Sequence, residues 1–141
     1  MSSGEALRVV QGYLVGHAVE WLSEEVVFRD MTRPDPMRGR QEVADFLRRF
    51  FAEVFSEARI EDVRLTAASD RVCAEWVFRG RHSGSLAGEA PTGREIRHPM
   101  VCVYEVTGGE IRRASLYHDA AGLLAQLSVG AVDAAPAAAS V

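Results

Sequence analysis

Between Gly88 and Asp119 the chain reads GEAPTGREIRHPMVCVYEVTGGEIRRASLYHD, and this stretch narrows the possible folds more than any other. From Ile96 to Val106 apolar or aromatic residues alternate with polar ones, the period of a strand that buries one face. Gly108 and Gly109 supply the positive φ that a tight turn demands, and a second strand is expected from Glu110 to His118. The outcome is one long β-hairpin. Alternation sorts its first strand into His98, Met100, Cys102 and Tyr104 on one face and Arg97, Val101, Val103 and Glu105 on the other. Function is expected on the inner face.

The elements before the hairpin follow from helical and strand periods. Ser2 or Ser3 can cap a first helix whose apolar face is Ala6, Leu7, Val10, Tyr13 and Leu14, with Gly16 at its end. The composition of Ala18 to Glu25 predicts a short second helix, and Val26 to Met31 a first strand. The segment TRPDPMRG is a proline-rich turn. From Arg40 to Phe55, Val43, Phe46, Leu47, Phe50, Phe51 and Val54 form a broad apolar stripe, which predicts a helix lying on a sheet. Strands are expected at Arg59 to Ala67 and Arg71 to His82, with Trp76 and Phe78 on one face of the latter. After the hairpin, Asp119 can cap a last helix carrying Leu123, Leu124 and Leu127. Residues 1–129 are thus expected as a single domain and 130–141 as a flexible tail rich in Ala and Pro.

Charge and composition exclude several function classes. With a formal net charge of −4 the chain offers no electrostatic footprint for nucleic acid or an anionic membrane, so a small-molecule partner is expected. No apolar run approaches the roughly 20 residues of a membrane span, and no signal-like N-terminus is apparent, which reads as a cytoplasmic protein. Cys73 and Cys102 lie in predicted strands without CxxC spacing, so they read as buried reduced thiols. The chain contains no Lys, which rules out lysine Schiff-base chemistry.

Helices followed by a run of strands make an α+β arrangement in which a curved, mostly antiparallel sheet forms a cone around a pocket, with helices covering it. The residues FRD…RGRQEV, RGRHSG…PTGR and GGEI…YHD…LLAQL resemble the SnoaL-like polyketide cyclases of the nuclear-transport-factor-2-like fold, a group that includes limonene epoxide hydrolase and ketosteroid isomerase. The resemblance runs from about Leu7 to Leu127. It implies a homodimer packed through the outer sheet face, and a tailoring enzyme of bacterial secondary metabolism. Such an enzyme would cyclise or isomerise a polyketide-like molecule by acid-base chemistry, with neither metal nor organic cofactor. A single fold hosts many chemistries, so an epoxide hydrolase or dehydratase and a non-catalytic binding protein stand as alternatives.

The pocket implied by this resemblance is lined by Phe28, Trp76, Phe78, Met100, Cys102, Tyr104 and Leu116, with Asp30, His82, His98 and His118 as polar groups. An imidazole titrates near neutrality and can serve as general base, while Asp30 can orient it or act as the base itself. Each residue also has a plainer role: His98 at a rim or interface, His82 on a loop over the pocket, Asp30 in a turn, Asp119 as a helix cap. The comparison also implies departures. The Arg and two Asp of limonene epoxide hydrolase fall here on Trp76, Phe78 and Leu116, and its Tyr-x-Asn pair on Phe28 and Asp30. The His and Asp of the cyclases fall on Cys102 and Leu116, leaving His98, His118 or Asp30 to move protons; a shift of register would return Asp119 as the acid.

Overall fold

The structure, a computed structural model, describes residues 2–128. The expected tail at 130–141 lies outside the described residues. The hairpin is the spine of a six-stranded sheet. Its strands β5 (Glu95–Thr107) and β6 (Glu110–His118) are joined by Gly108 and Gly109 at φ 61° and 81°. β4 (Arg71–His82) and β3 (Phe55–Ala68) extend the sheet on one side of β5, and β1 (Leu22–Asp30) with the two-residue β2 (Met37–Arg38) extends it beyond β6. The order is β2-β1-β6-β5-β4-β3, antiparallel except where β1 runs parallel to β6.

Burial follows the strand period. Along β5 Ile96, His98, Met100, Cys102, Tyr104 and Val106 are buried, and along β4 so are Val72, Ala74, Trp76, Phe78, Gly80 and His82. These residues form the concave face. The helix α1 (Ser3–Gly16) closes it with Ala6, Val9, Val10, Tyr13 and Leu14, its N-terminus capped by Ser2 Oγ, which accepts from the Glu5 N–H. The helix α2 (Gly39–Arg48) runs on into a π-helical segment at Arg49–Val54. At the far end α3 (Ala120–Leu127) seats Leu123 and Leu127 in the core.

The helix expected over Ala18 to Glu25 is not formed. A 3-10 turn occupies Val19–Trp21, and β1 has already begun at Leu22. Leu22 pairs with Ile111 of β6 across a bulge, and both side chains are 0% exposed. Pairing with β6 and burial of Leu22 and Val26 outweigh the modest helical preference of this segment. Likewise β3 starts at Phe55, four residues before the expected Arg59, because Phe55 is buried and pairs with His82.

Two glycines permit close approaches. At Gly12 an added Cβ would meet the indole of Trp21, which is 36% exposed and can move. At Gly84 it would meet the Glu53 carbonyl, a backbone atom held where Gly84 N–H donates to the neighbouring Val54 carbonyl at 2.9 Å. Gly84→Ala is therefore expected to destabilise the protein by about 1–3 kcal/mol, the range for overpacking a tight site, and Gly12→Ala by less. Urea unfolding of both variants checks the order.

Candidate active site

Strand register brings three polar side chains to one end of the concave face. Asp30 closes β1 opposite Leu116, and His118 stands two residues further along β6 on the same face. Met100 lies directly across from His118, which puts His98 diagonal to it. Aromatic side chains reach one another across such a diagonal. His98 Nε2 and His118 Nδ1 are 2.9 Å apart, and the rings meet edge to face. On its other side His118 Nε2 lies 3.6 Å from Asp30 Oδ1. The structure therefore aligns Asp30, His118 and His98 in a row, and the Asp30 and His118 side chains are only 8% and 6% exposed.

Asp30 is also held by its own turn, so the pocket and turn roles expected for it coexist. Thr32 donates to Asp30 Oδ1 through its backbone N–H at 3.0 Å and its hydroxyl at 2.6 Å, and Arg33 Nε lies 3.8 Å from Oδ2. Burial pushes the Asp30 pKa upward, but the hydrogen bonds from His118 and Thr32 outweigh it and bring the value down to about 2. The carboxyl is thus ionised and accepts only. His118 thus presents Nε2 to this carboxylate and Nδ1 to His98 Nε2. Burial, and secondarily the neighbouring His118, lowers the His98 pKa to about 4, so His98 is neutral.

The remaining expected residues divide. Trp76, Phe78, Met100, Tyr104, Leu116 and Phe28 wall an inner cavity of about 40 Å³ together with Tyr13, His17 and the aromatic rings of α2 and the π-helical segment. Tyr13 and Tyr104 are deeply buried, which raises both phenol pKa values and keeps the hydroxyls protonated as donors. Phe46 and Phe50 separate this cavity from a recess of about 160 Å³ lined by Asp30, His118, Arg33 and Arg49.

Cys102 points inward but lies beneath the cavity wall, and burial pushes its thiol up to about 12, so it stays an unreactive thiol. Its strand neighbour Ala74 is adjacent in sequence to Cys73, which puts the two thiols on opposite faces of the sheet. His82 differs from the loop position expected for it. It ends β4 at 0% exposure, where Nδ1 accepts from the Thr92 N–H at 3.2 Å, and it borders neither the inner cavity nor the recess. Asp119 caps α3, accepting from the Gly122 N–H at 2.9 Å, so its carboxylate serves the helix. α3 is further held to β5 by Gln126, which exchanges two 3.0 Å hydrogen bonds with the backbone of Arg97 beside His98. Among the described residues, no group of three or more His, Cys, Asp or Glu side chains is arranged to hold a metal ion.

Besides the rings of the α2 stripe and Leu47, Tyr13 and His17 are cavity residues that escape the sequence reading. Tyr13 reads as one more apolar position of α1, and His17 reads as the residue after a helix-ending glycine. Only the packing of α1 over the sheet shows that both border the cavity.

A curved sheet over an aromatic cavity, with a carboxylate and an imidazole in the adjoining recess, is an α+β architecture of the nuclear-transport-factor-2-like type. The family model described as SnoaL-like polyketide cyclase matches residues 10–127, and the chain belongs to that family. It is 35% identical over 86 residues to the nogalonic acid methyl ester cyclase of Streptomyces nogalater, a match covering 61% of this chain and 62% of that protein. It is also 35% identical over 71 residues to the aklanonic acid methyl ester cyclase AcmA of Streptomyces galilaeus, covering 50% of this chain and 49% of that one. The matches therefore span between half and two thirds of these relatives. A solved candidate polyketide cyclase of Xanthomonas campestris superposes with a TM-score of 0.81 at 25% identity, covering 89% of this chain and 98% of its own. An epoxide hydrolase of Mycobacterium tuberculosis, at 22% identity and a TM-score of 0.67, shares the fold, covering 89% of this chain and 90% of its own. Among the described residues no helix is long and apolar enough to cross a membrane.

The ionisation states fix how stability depends on pH. Burial holds both His98 and His17 near pKa 4 against an ordinary 6.5, so the unfolded chain takes up protons first as pH falls. Stability is expected to drop between pH 6.5 and about 4, by on the order of 1–3 kcal/mol per imidazole. The Asp30 contribution is complete above its ordinary 3.8 and is lost as pH falls toward about 2. Urea unfolding of His98→Gln and His17→Gln across this range is expected to show a shallower first decline than the wild type.

Proposed function

We propose that the protein is a cofactor-independent cyclase that closes a ring in a polyketide-like small molecule by general acid-base catalysis at Asp30 and His118. The observation that carries this reading is the row of Asp30, His118 and His98, of which Asp30 and His118 line a recess next to the aromatic cavity, with Phe46 and Phe50 between the two. Ring closure requires little beyond proton traffic and a folded substrate. The Asp30 carboxylate accepts a proton from a carbon flanked by carbonyls. The resulting enolate carbon attacks a ketone of the same molecule, forming one carbon–carbon bond. The new alkoxide then takes the proton back, so the product is an isomer of the substrate.

A carboxylate as acidic as Asp30 is a weak base, so the enolate needs donors of its own. Arg33 and Arg49 line the same recess as Asp30 and supply them. His118 Nε2 faces the carboxylate at 3.6 Å, and His98 holds the His118 ring from its other nitrogen. Rings lining the cavity suit a flat, apolar substrate. The names of the two curated relatives suggest methyl esters of nogalonic and aklanonic acid as first candidates. In this reading the protein works in the cytoplasm as a homodimer packed through the outer sheet face, where the half-buried Val101 and Val103 lie beside the 47%-exposed Tyr117.

Steady-state kinetics on the two methyl esters tests the reading. Asp30→Asn and His118→Gln are each expected to lower kcat by roughly a hundredfold or more with KM little changed, and the product is expected to keep the substrate's mass in water enriched in heavy oxygen. Incorporation of solvent oxygen would instead mark a hydrolase. Ligand binding without turnover, unaffected by either variant, would mark a carrier protein.

A further inference from the structure

Three hollows meet along one helical segment. Besides the recess at Asp30 and the inner cavity, an open groove of about 1140 Å³ runs between the end of α1 and β3. His17, Leu47 and Phe51 wall both the groove and the inner cavity, while Phe46 and Phe50 wall both the inner cavity and the recess. Apart from His17, every one of these dividing side chains belongs to α2 or the π-helical segment that continues it. Segments with π geometry are uncommon and recur at functional sites. The groove itself is largely apolar, with Leu14, Ile60 and Leu65 among its walls.

The volumes are mismatched with any ring system. About 40 Å³ in the inner cavity holds little more than a water molecule, whereas pockets for small organic ligands run to about 300–1,000 Å³. The missing volume lies on the other side of the dividing side chains. Phe46, Phe50 and Phe51 are only partly buried, so moving them exposes less apolar surface than moving a core ring would.

His17 stands at the groove end of this line. It takes the left-handed conformation at the end of α1, with φ 55°, and its N–H donates to the Tyr13 carbonyl at 2.6 Å. Its ring packs against Tyr13 and Phe51, with centroids 5.1 Å and 4.8 Å away. A neutral imidazole donates at one nitrogen and accepts at the other, which suits a ligand hydroxyl or carbonyl.

We infer that the ligand site is a two-ended channel in which the reacting end of the substrate lies at Asp30 and His118 and its far end emerges over His17 into the groove between α1 and β3. The occupant is an elongated, flat, fused-ring molecule bearing oxygen substituents at both ends. This rests on the cyclase reading above and adds to it the length of the substrate and a binding role for His17. Opening the channel requires Phe50 and Phe51 to swing aside together, since they stand at its two partitions.

Histidine NMR of the wild-type protein tests the inference, with alizarin, a dihydroxylated three-ring anthraquinone, as the probe. The ring resonances of His17 and His118 are expected to shift together, along one saturation curve. His17→Ala is expected to weaken alizarin binding about tenfold while the His118 shift at saturation persists. Movement of His118 alone would overturn the channel and leave the acid-base site standing. Movement of neither resonance up to the solubility limit of alizarin would overturn both.

Discussion

Asp30 is 7% exposed and ionised, and the rest of the site depends on the donors that keep it so. A buried carboxylate without partners would take up a proton. Thr32 supplies two donors from the turn that follows β1, and His118 approaches from the neighbouring strand. The ionised oxygen faces His118 Nε2, and His118 Nδ1 in turn meets His98 Nε2. A local turn thereby anchors a row of side chains that reaches two other strands. The parallel register of β1 on β6 is what makes the chain of contacts possible, since Asp30 opposite Leu116 places it beside His118.

The second determinant is the aromatic segment across the mouth of the cone. Phe50 lies within 4.9–6.2 Å, centroid to centroid, of Phe46, Phe51, Phe55 and Phe78, which makes it the hub of the cluster. Such edge-on and tilted contacts each contribute about 0.5–1.5 kcal/mol beyond burial. Because those rings ride on one continuous α2 and π segment, the two partitions are mechanically linked. The same residues that pack against the hydrophobic core therefore also wall the recess at Asp30.

Much of the scaffold was legible from alternation alone. The hairpin, the inward face of β4 and the cap at Asp119 follow from period-two burial, two adjacent glycines and one carboxylate ahead of a leucine-rich helix. That His98 and His118 share the concave face was legible too, because each falls on an inward position. Their mutual contact was not, since it depends on a diagonal fixed by pairing Met100 with His118. The segment from Ala18 to Glu25 misled because its partner β6 lies about ninety residues away, and local propensity carries no record of a parallel pairing at that distance. His17 and the partitions stayed hidden for a related reason. Whether an aromatic ring on a helix fills a core or divides two hollows is decided by what lies on its far side.

The coupling between Asp30 and His118 is the centre of this account, and the carbon chemical shift of the Asp30 carboxyl reports it directly. Followed through an acid titration, that carboxyl is expected to protonate near pH 2 in the wild type and closer to the ordinary 3.8 in His118→Gln. A midpoint already near 3.8 in the wild type, indifferent to the loss of His118, would contradict the account.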